Sequence, residues 1–370
     1  MNLVWVALGL VLLALTLWDV FESVVVPRPT PGRFRIARYV LRGSWLILRR
    51  LMRGRSSGSR DQVFGLFGPA IAIVLLGTWI LALVVGYGLV LYGIRDQIAP
   101  VPDSFATTVY VAGASVLTLG YGEFVAVGGP ARLVVLVAGA TGLGVVALVV
   151  TFLFSIYGSY QRRELEVVRL QATAGAPPSA VALLEAFKRL EFADRLPAFF
   201  VVWQRWCAEV LDSHIAYPVL AWFRSSHDNL SWISALGAVL DAACLVITTI
   251  RGVPRGDAEL VRRVGAHLVE DMSNLGFGGA ARPGLDREAF ELVCTRLAEV
   301  GYELEPADEA WPTFEAARSQ YIDRLEAMAT YWEVASTSWL GSMDELRSVV
   351  HLLEVSAARS APAATAEVRR

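Results

Sequence analysis

The chain has 370 residues, 55% of them hydrophobic, and its 33 basic and 35 acidic residues leave a net charge of -2. With a mean hydropathy of +0.49, that composition points to a membrane protein of two or three domains and gives no reason to expect a nucleic-acid partner. Cys207, Cys244 and Cys294 lie far apart with no C-x-x-C spacing, which fits buried structural thiols in a reducing compartment rather than a disulfide framework.

Leu3 to Val26 is apolar apart from Asp19 and Glu22 and is long enough to cross a bilayer. No basic leading region and no small-x-small site precede the charges, so a retained N-terminal helix (1–27) is expected rather than a cleaved signal. Ten arginines follow between Arg28 and Arg60, with Asp61 the one balancing acid. The positive-inside rule then puts this linker (28–62) in the cytoplasm and the N-terminus outside. Asp19 and Glu22 fall near the cytoplasmic end, where they either pair with linker arginines or form a solvated acid pair. Phe34 to Met52 mixes arginines with apolar residues at helical spacing, the pattern of an interfacial helix lying on the inner leaflet. Its first role is as a topology anchor, with anionic lipid as a further partner. Arg55 to Arg60, rich in Ser and Gly, reads as a flexible joint.

A second apolar stretch, Gly65 to Tyr92, is longer than an upright span needs. Gly93 to Asp103, with two prolines, suits a short loop. Ser104 to Leu117 is too short to span and fits a re-entrant helix whose C-terminal dipole end favours a cation. Next comes Thr118-Leu119-Gly120-Tyr121-Gly122. In this order an extended backbone can aim successive carbonyl oxygens, plus the Thr118 hydroxyl, at one axis in place of a cation's hydration shell. Glycine tolerates the backbone angles that this requires. Ala131 to Ile156 is a third apolar run, and Arg162 and Arg163 beyond it return the chain to the cytoplasm.

The Thr118–Gly122 stretch, between two apolar helices, resembles the selectivity filter of the potassium channel family. The resemblance implies a pore domain at 63–160, made of an outer helix (65–92), a pore helix (104–117), a filter (118–122) and an inner helix (131–158). The N-terminal helix is an addition to that pattern. The resemblance also implies that Thr118, Leu119, Gly120, Tyr121 and Gly122 are the ion ligands, that potassium ions take the place of any other cofactor, and that four chains form a homotetramer. Tyr110 and Glu123 are thirteen residues apart, the spacing at which family members join a pore-helix aromatic to the acid after the filter, so they are read as filter support. The chain departs from the family at Leu117, where a threonine is common, at Glu123, where Asp is usual, and in having one aromatic, Tyr110, beside Val111. Gly142 sits where family members bend and is read equally as a hinge or a packing site. Helical spacing below it selects Val146, Val150 and Phe154, with Phe154 as a hydrophobic gate. The glycines of 139–144 lie inside a span rather than after a strand, so they are not a nucleotide loop.

Residues 161–356 are expected to form a cytoplasmic helical domain and 357–370, rich in Ala, Ser and Pro, a disordered tail. Helical periodicity marks Val181 to Leu190 and Ala289 to Cys294, and a Gly-rich loop covers Gly276 to Gly284. Trp232 to Ile250 is apolar, but crossing the membrane there would send Arg251, Arg255, Arg262 and Arg263 outside, so a buried core helix is preferred. No dinucleotide fingerprint appears. His214, His227, His267 and His351 lack zinc spacing, and His267 with Glu270 and Asp271 reads as a solvated face. No nucleophile and base stand together, so no enzyme is expected. The fold class is thus an all-α membrane protein. The expected function is passive potassium-selective conduction, gated through the C-terminal domain. A nonselective cation channel and a non-conducting membrane-anchored scaffold are the competing readings.

Overall fold

The computed structural model describes residues 2–26, 36–55, 57–225, 230–274, 287–334 and 339–341. The protein is an all-α membrane protein, with three helices long and apolar enough to cross a bilayer, Leu3–Val25, Gln62–Gly93 and Gly129–Ala174. The strands among the described residues are one antiparallel pair of two residues each. Two compact units divide the chain: Met1–Gln161 with Ser213–Arg224, and Arg162–Asp212 with Ser225–Arg370.

The first unit opens with α1 (Leu3–Val20), started by the Asn2 side chain, which accepts from the Val4 amide at 3.2 Å, and closed by a π turn over Phe21–Val25. Helix α2 (Ile36–Leu51) buries Ala37, Leu41 and Trp45, four residues apart and therefore on one face. The Trp45 ring lies 5.0 Å from Phe64 and 5.2 Å from Phe67, both in α3 (Ser57–Gly93). The helix thus begins inside the expected Arg55–Arg60 joint, which the sequence had assigned to a flexible linker. Ser57, Gly58 and Ser59 are disfavoured in a helix interior, and a 37-residue helix readily carries them at its end.

Helices α1 and α3 run antiparallel in close contact, because Gly9 and Gly86 carry no side chain where they cross. A Cβ on Gly9 would stand 2.6 Å from the Gly86 carbonyl oxygen and 2.7 Å from Val90, so small residues let the two backbones approach. Near the other end, Asp19 is 2% exposed and pairs with no described arginine. Its carboxylate accepts from the Trp79 indole N–H at 2.8 Å and from the Ala37 amide at 3.3 Å. Both expectations for this acid, an arginine pair and a solvated position, are corrected by that geometry. A buried carboxylate is held by an indole and by the amide end of α2, where the helix dipole favours a negative charge. Glu22 is also buried.

Beyond α3 the loop contains β1 (Ile98–Ala99), which pairs with β2 (Val125–Ala126) so that Ile98 faces Ala126 and Ala99 faces Val125. Between the strands lies α4 (Phe105–Val116), and after them α5 (Gly129–Ala174). Helix α5 continues sixteen residues past the expected end at 158. The charged run from Arg162 that ends its apolar stretch contains no helix breaker before Gly175, so the polarity changes while the helix persists. A second correction concerns Ser213–Arg224, which the sequence reading left in the C-terminal domain. It belongs to the first unit. The aromatic run Tyr217 to Phe223 is covered there: Tyr217 lies 5.6 Å from Phe152, and Phe223 lies 5.9 Å from Tyr157.

The second unit contains α6 (Ala180–Arg189), most of α7 (Leu196–Ala216), α8 (Trp232–Thr248), α9 (Gly256–Asn274), α10 (Arg287–Glu299), α11 (Ala307–Arg318) and α12 (Ile322–Tyr331). Its core is α8, in which every residue from Trp232 to Val246 is buried. That explains why its sequence is apolar on all sides without a bilayer. The one charge inside it, Asp241, is fully buried and meets Arg318 in two hydrogen bonds of 3.0 and 3.1 Å and the Tyr321 hydroxyl at 2.5 Å. The loop expected over Gly276–Gly284, the tail at 357–370, His227 and His351 lie outside the described residues.

Candidate functional site

The site is the turn between α4 and β2, and it is built from α4 outward. Ser104 precedes α4 with extended backbone, and its hydroxyl accepts from the Thr107 amide at 3.2 Å while Asp103 accepts from the Thr107 hydroxyl at 2.6 Å. The Ser104 oxygen satisfies a first-turn amide that a helix cannot satisfy internally, and the bond from the Thr107 hydroxyl holds the Asp103 carboxyl below its usual range. At the other end Leu117 caps the helix through its amide to the Gly113 carbonyl at 2.9 Å. The next two amides also return to α4, Thr118 to Ser115 at 3.0 Å and Leu119 to Ala114 at 2.8 Å. The segment thus leaves the helix with its first residues tied down.

Backbone sign then alternates. The φ angle is positive at Thr118 (54°), Gly120 (62°) and Gly122 (76°), whereas Leu119 and Tyr121 between them stay in the ordinary negative range. Positive φ costs glycine little but is unusual for threonine, so Thr118 is held there by its surroundings. Leu119 is 50% exposed and Tyr121 66% exposed in the single chain. Behind the segment, the Tyr110 hydroxyl donates to Glu123 Oε2 at 3.1 Å, and the Tyr110 ring is parallel to that of Tyr121 with centroids 6.3 Å apart. A cavity of about 570 Å³ is open beside it, lined by Tyr110, Ala114, Thr118, Gly120, Tyr121 and Leu136 among others.

Two flanking helices fix α4 by close approach. On one side a Cβ at Gly88 would lie 2.9 Å from the Val109 side chain and 3.1 Å from its Cα. On the other, Gly142 abuts Val116, whose carbonyl carbon would be 2.8 Å from an added Cβ, and Gly139 lies 3.4 Å by the same measure from the Ser115 carbonyl oxygen. The flanking helices are joined directly by a 2.8 Å hydrogen bond between Tyr87 and Thr141. Helix α5 runs unbroken through Gly142. Val146, Val150 and Phe154 are 40%, 48% and 76% exposed, on a face that the rest of the chain leaves open.

Sequence reasoning named Thr118 to Gly122, Tyr110 and Glu123, and these are together at one place. It missed Gly88, Tyr87 and Thr141, whose roles depend on which residue lies opposite. Among the described residues no three His, Cys, Asp or Glu side chains gather to hold a metal ion. His267 lies 3.7 Å from the Asp271 carboxylate on an exposed face. The three cysteines are free and buried, and burial pushes the thiols up, to about 12 for Cys244 and about 11 for Cys294. Unreactive thiols follow.

Residues 70–158 match the model of the ion channel family, and this part of the chain is similar to the members of that family. The match takes in most of α3, all of α4, the turn after it and the apolar length of α5. A relative is a membrane protein of Bacillus subtilis (strain 168), YdjJ, whose own function is uncharacterised. It is 24% identical over 194 residues, which is 51% of this chain and 56% of that protein. The chain thus spans little more than half the length of that relative. No solved structure matches.

Proposed function

We propose that the protein is a potassium-selective channel that conducts passively, assembled from four copies with the Thr118–Gly122 segments around one axis. The observation that carries this reading is the alternation of φ at Thr118, Gly120 and Gly122. In a regular strand, successive peptide units alternate in direction. Reversing φ at every second residue turns alternate units round, so that consecutive carbonyl oxygens can share one side and replace the water around a dehydrated cation. One such segment per chain gives a quarter of a ring, and the exposure of Leu119 and Tyr121 leaves room for neighbouring copies.

The reading extends to orientation and control. With the arginines of the linker on the inner side, α1 starts outside and the C-terminal unit is cytoplasmic, in a cell membrane. Helix α2 turns Tyr39, Leu46, Ile47 and Leu51 outward, each about 60% exposed, beside Arg42, Arg49 and Arg50. That arrangement suits the inner leaflet, with anionic lipid at the arginines. Four copies of Phe154 form the gate, and the C-terminal unit sets how often it opens. No cofactor other than the conducted ions is needed, and no reaction is catalysed.

Purified protein in liposomes, loaded with potassium and diluted into sodium, tests the reading. Potassium flux should appear in the parent, vanish in Gly120→Ala with assembly intact, and rise at rest in Phe154→Ala. Flux unchanged by Gly120→Ala would defeat the filter assignment, and resting flux unchanged by Phe154→Ala would move the gate elsewhere.

A further inference from the structure

We propose that Gln97, far from the Thr118–Gly122 segment in sequence, is the positioning residue for its outer end, acting as a remote cap on α5. The proposal rests on the channel reading above. Helix α5 begins at Gly129, preceded by Val127-Gly128 and followed by Pro130. None of these residues carries a side-chain oxygen, so the first-turn amides have no local acceptor of the kind a helix start normally recruits. Gln97 supplies one from across the loop: its Oε1 accepts from the Ala131 amide at 3.2 Å. Its main-chain carbonyl accepts two more amides, from Val127 at 2.9 Å and Gly128 at 3.2 Å. The next residue, Ile98, pairs with Ala126 in the small sheet.

Gly128 is shaped to this arrangement. An added Cβ would stand 2.7 Å from the Gln97 Cβ and 2.8 Å from its Cδ, and would collide with Oε1. The glycine leaves the space that the glutamine side chain fills. Gln97 therefore joins the end of α3, the strand after the site and the first turn of α5 in one half-buried cluster. Val127 is only four residues beyond Glu123, so the cluster anchors the site's exit as the amides of Thr118 and Leu119 anchor its start. The Tyr110–Glu123 bond is the other tie at that end, and it is exposed.

A loosened exit should lean more heavily on bound ions. Ions in the segment bind its ordered form, and raising their concentration shifts the balance towards that form. The test uses full-length protein in planar bilayers, with sustained potassium current recorded at low and high potassium on the outer side. Gln97→Met keeps the length of the side chain and loses the acceptor. It should assemble normally, and at low outer potassium its current should decay roughly five- to tenfold faster, the weight of about one hydrogen bond. High outer potassium should restore it. Gln97→Glu keeps the acceptor and should behave as the parent. Gly128→Ala, which pushes the side chain aside from the other partner, should reproduce Gln97→Met.

Decay in Gln97→Met that equals the parent's at low potassium would overturn the proposal, as would equal decay in Gln97→Met and Gln97→Glu. If Gln97→Met failed to assemble, Gly128→Ala would decide by the same readout. A parent without potassium-selective current would instead remove the channel reading, an outcome separate from any difference among the variants.

Discussion

Gly142 of α5 touches Val116 of α4 backbone to backbone: a Cβ on the glycine would stand 2.8 Å from the valine's carbonyl carbon and would collide with its oxygen. Val116 is the last residue of α4, two before Thr118, so this contact sets where the site begins. Gly142→Ala is expected to displace the end of α4 and to lower the stability of the assembled protein by about 1–3 kcal/mol, the usual cost of overpacking. Thermal melting in detergent measures it. A variant with the parent's melting temperature and altered opening alone would favour the hinge reading of Gly142 over the packing one.

Tyr110 and Glu123 make the visible tie behind the site, at 3.1 Å. Because both side chains are open to solvent, the bond is expected to stabilise only modestly. Tyr110→Phe removes the donor and keeps the ring that lies against Tyr121. Single-channel open times should shorten, and parent-like open times would count against the pair.

Asp19 holds three helices to one buried carboxylate, since α1 carries it, α3 supplies the Trp79 indole and α2 the Ala37 amide. An acid at that depth is costly without partners. Trp79→Phe leaves one oxygen short of its donor and should destabilise the first unit by about 1.5–3 kcal/mol. Asp19→Asn, which keeps the shape and drops the charge, should cost less than Asp19→Leu. Equal losses in these two variants, measured by melting of the detergent-solubilised protein, would show that only the space is used.

Much of this could be read before the structure, and the limits are instructive. Residues 104–117 were legible because the apolar run is too short to span. The candidate site could be proposed from sequence because its five residues are adjacent. Yet the same tripeptide, Gly-Tyr-Gly, occurs at Gly86-Tyr87-Gly88 in the last two turns of α3, where it is helical and its glycines admit Leu13 and Val109. Local pattern therefore did not define the site alone; its place after a short helix did. What stayed hidden was partnership at a distance. Gln97 looks like any loop glutamine until Ala131 is opposite it, Asp19 invites an arginine until Trp79 is found, and Ser213–Arg224 reads as more of the C-terminal domain until Phe152 and Tyr157 cover its aromatics.

The C-terminal unit is built around a second buried carboxylate. Asp241 accepts two hydrogen bonds from Arg318 and one from Tyr321, whose phenol is pushed up by its burial and by the acid beside it. Removing one member of such a cluster leaves a charge buried without its partner, at about 3–5 kcal/mol. Arg318→Met is therefore expected to unfold this unit at markedly lower denaturant, followed by tryptophan fluorescence. Arg318→Met together with Asp241→Leu should recover part of the loss. A single variant as stable as the parent would contradict the assignment.

The Thr118–Gly122 segment is proposed to pass potassium and reject sodium. A bi-ionic reversal potential on the purified protein in a planar bilayer, with potassium on one side and sodium on the other, tests it most directly. The reversal potential should shift strongly towards the potassium equilibrium potential and be lost together with the current in Gly120→Ala. A reversal potential near zero in the parent, with current carried equally by both ions, would contradict it.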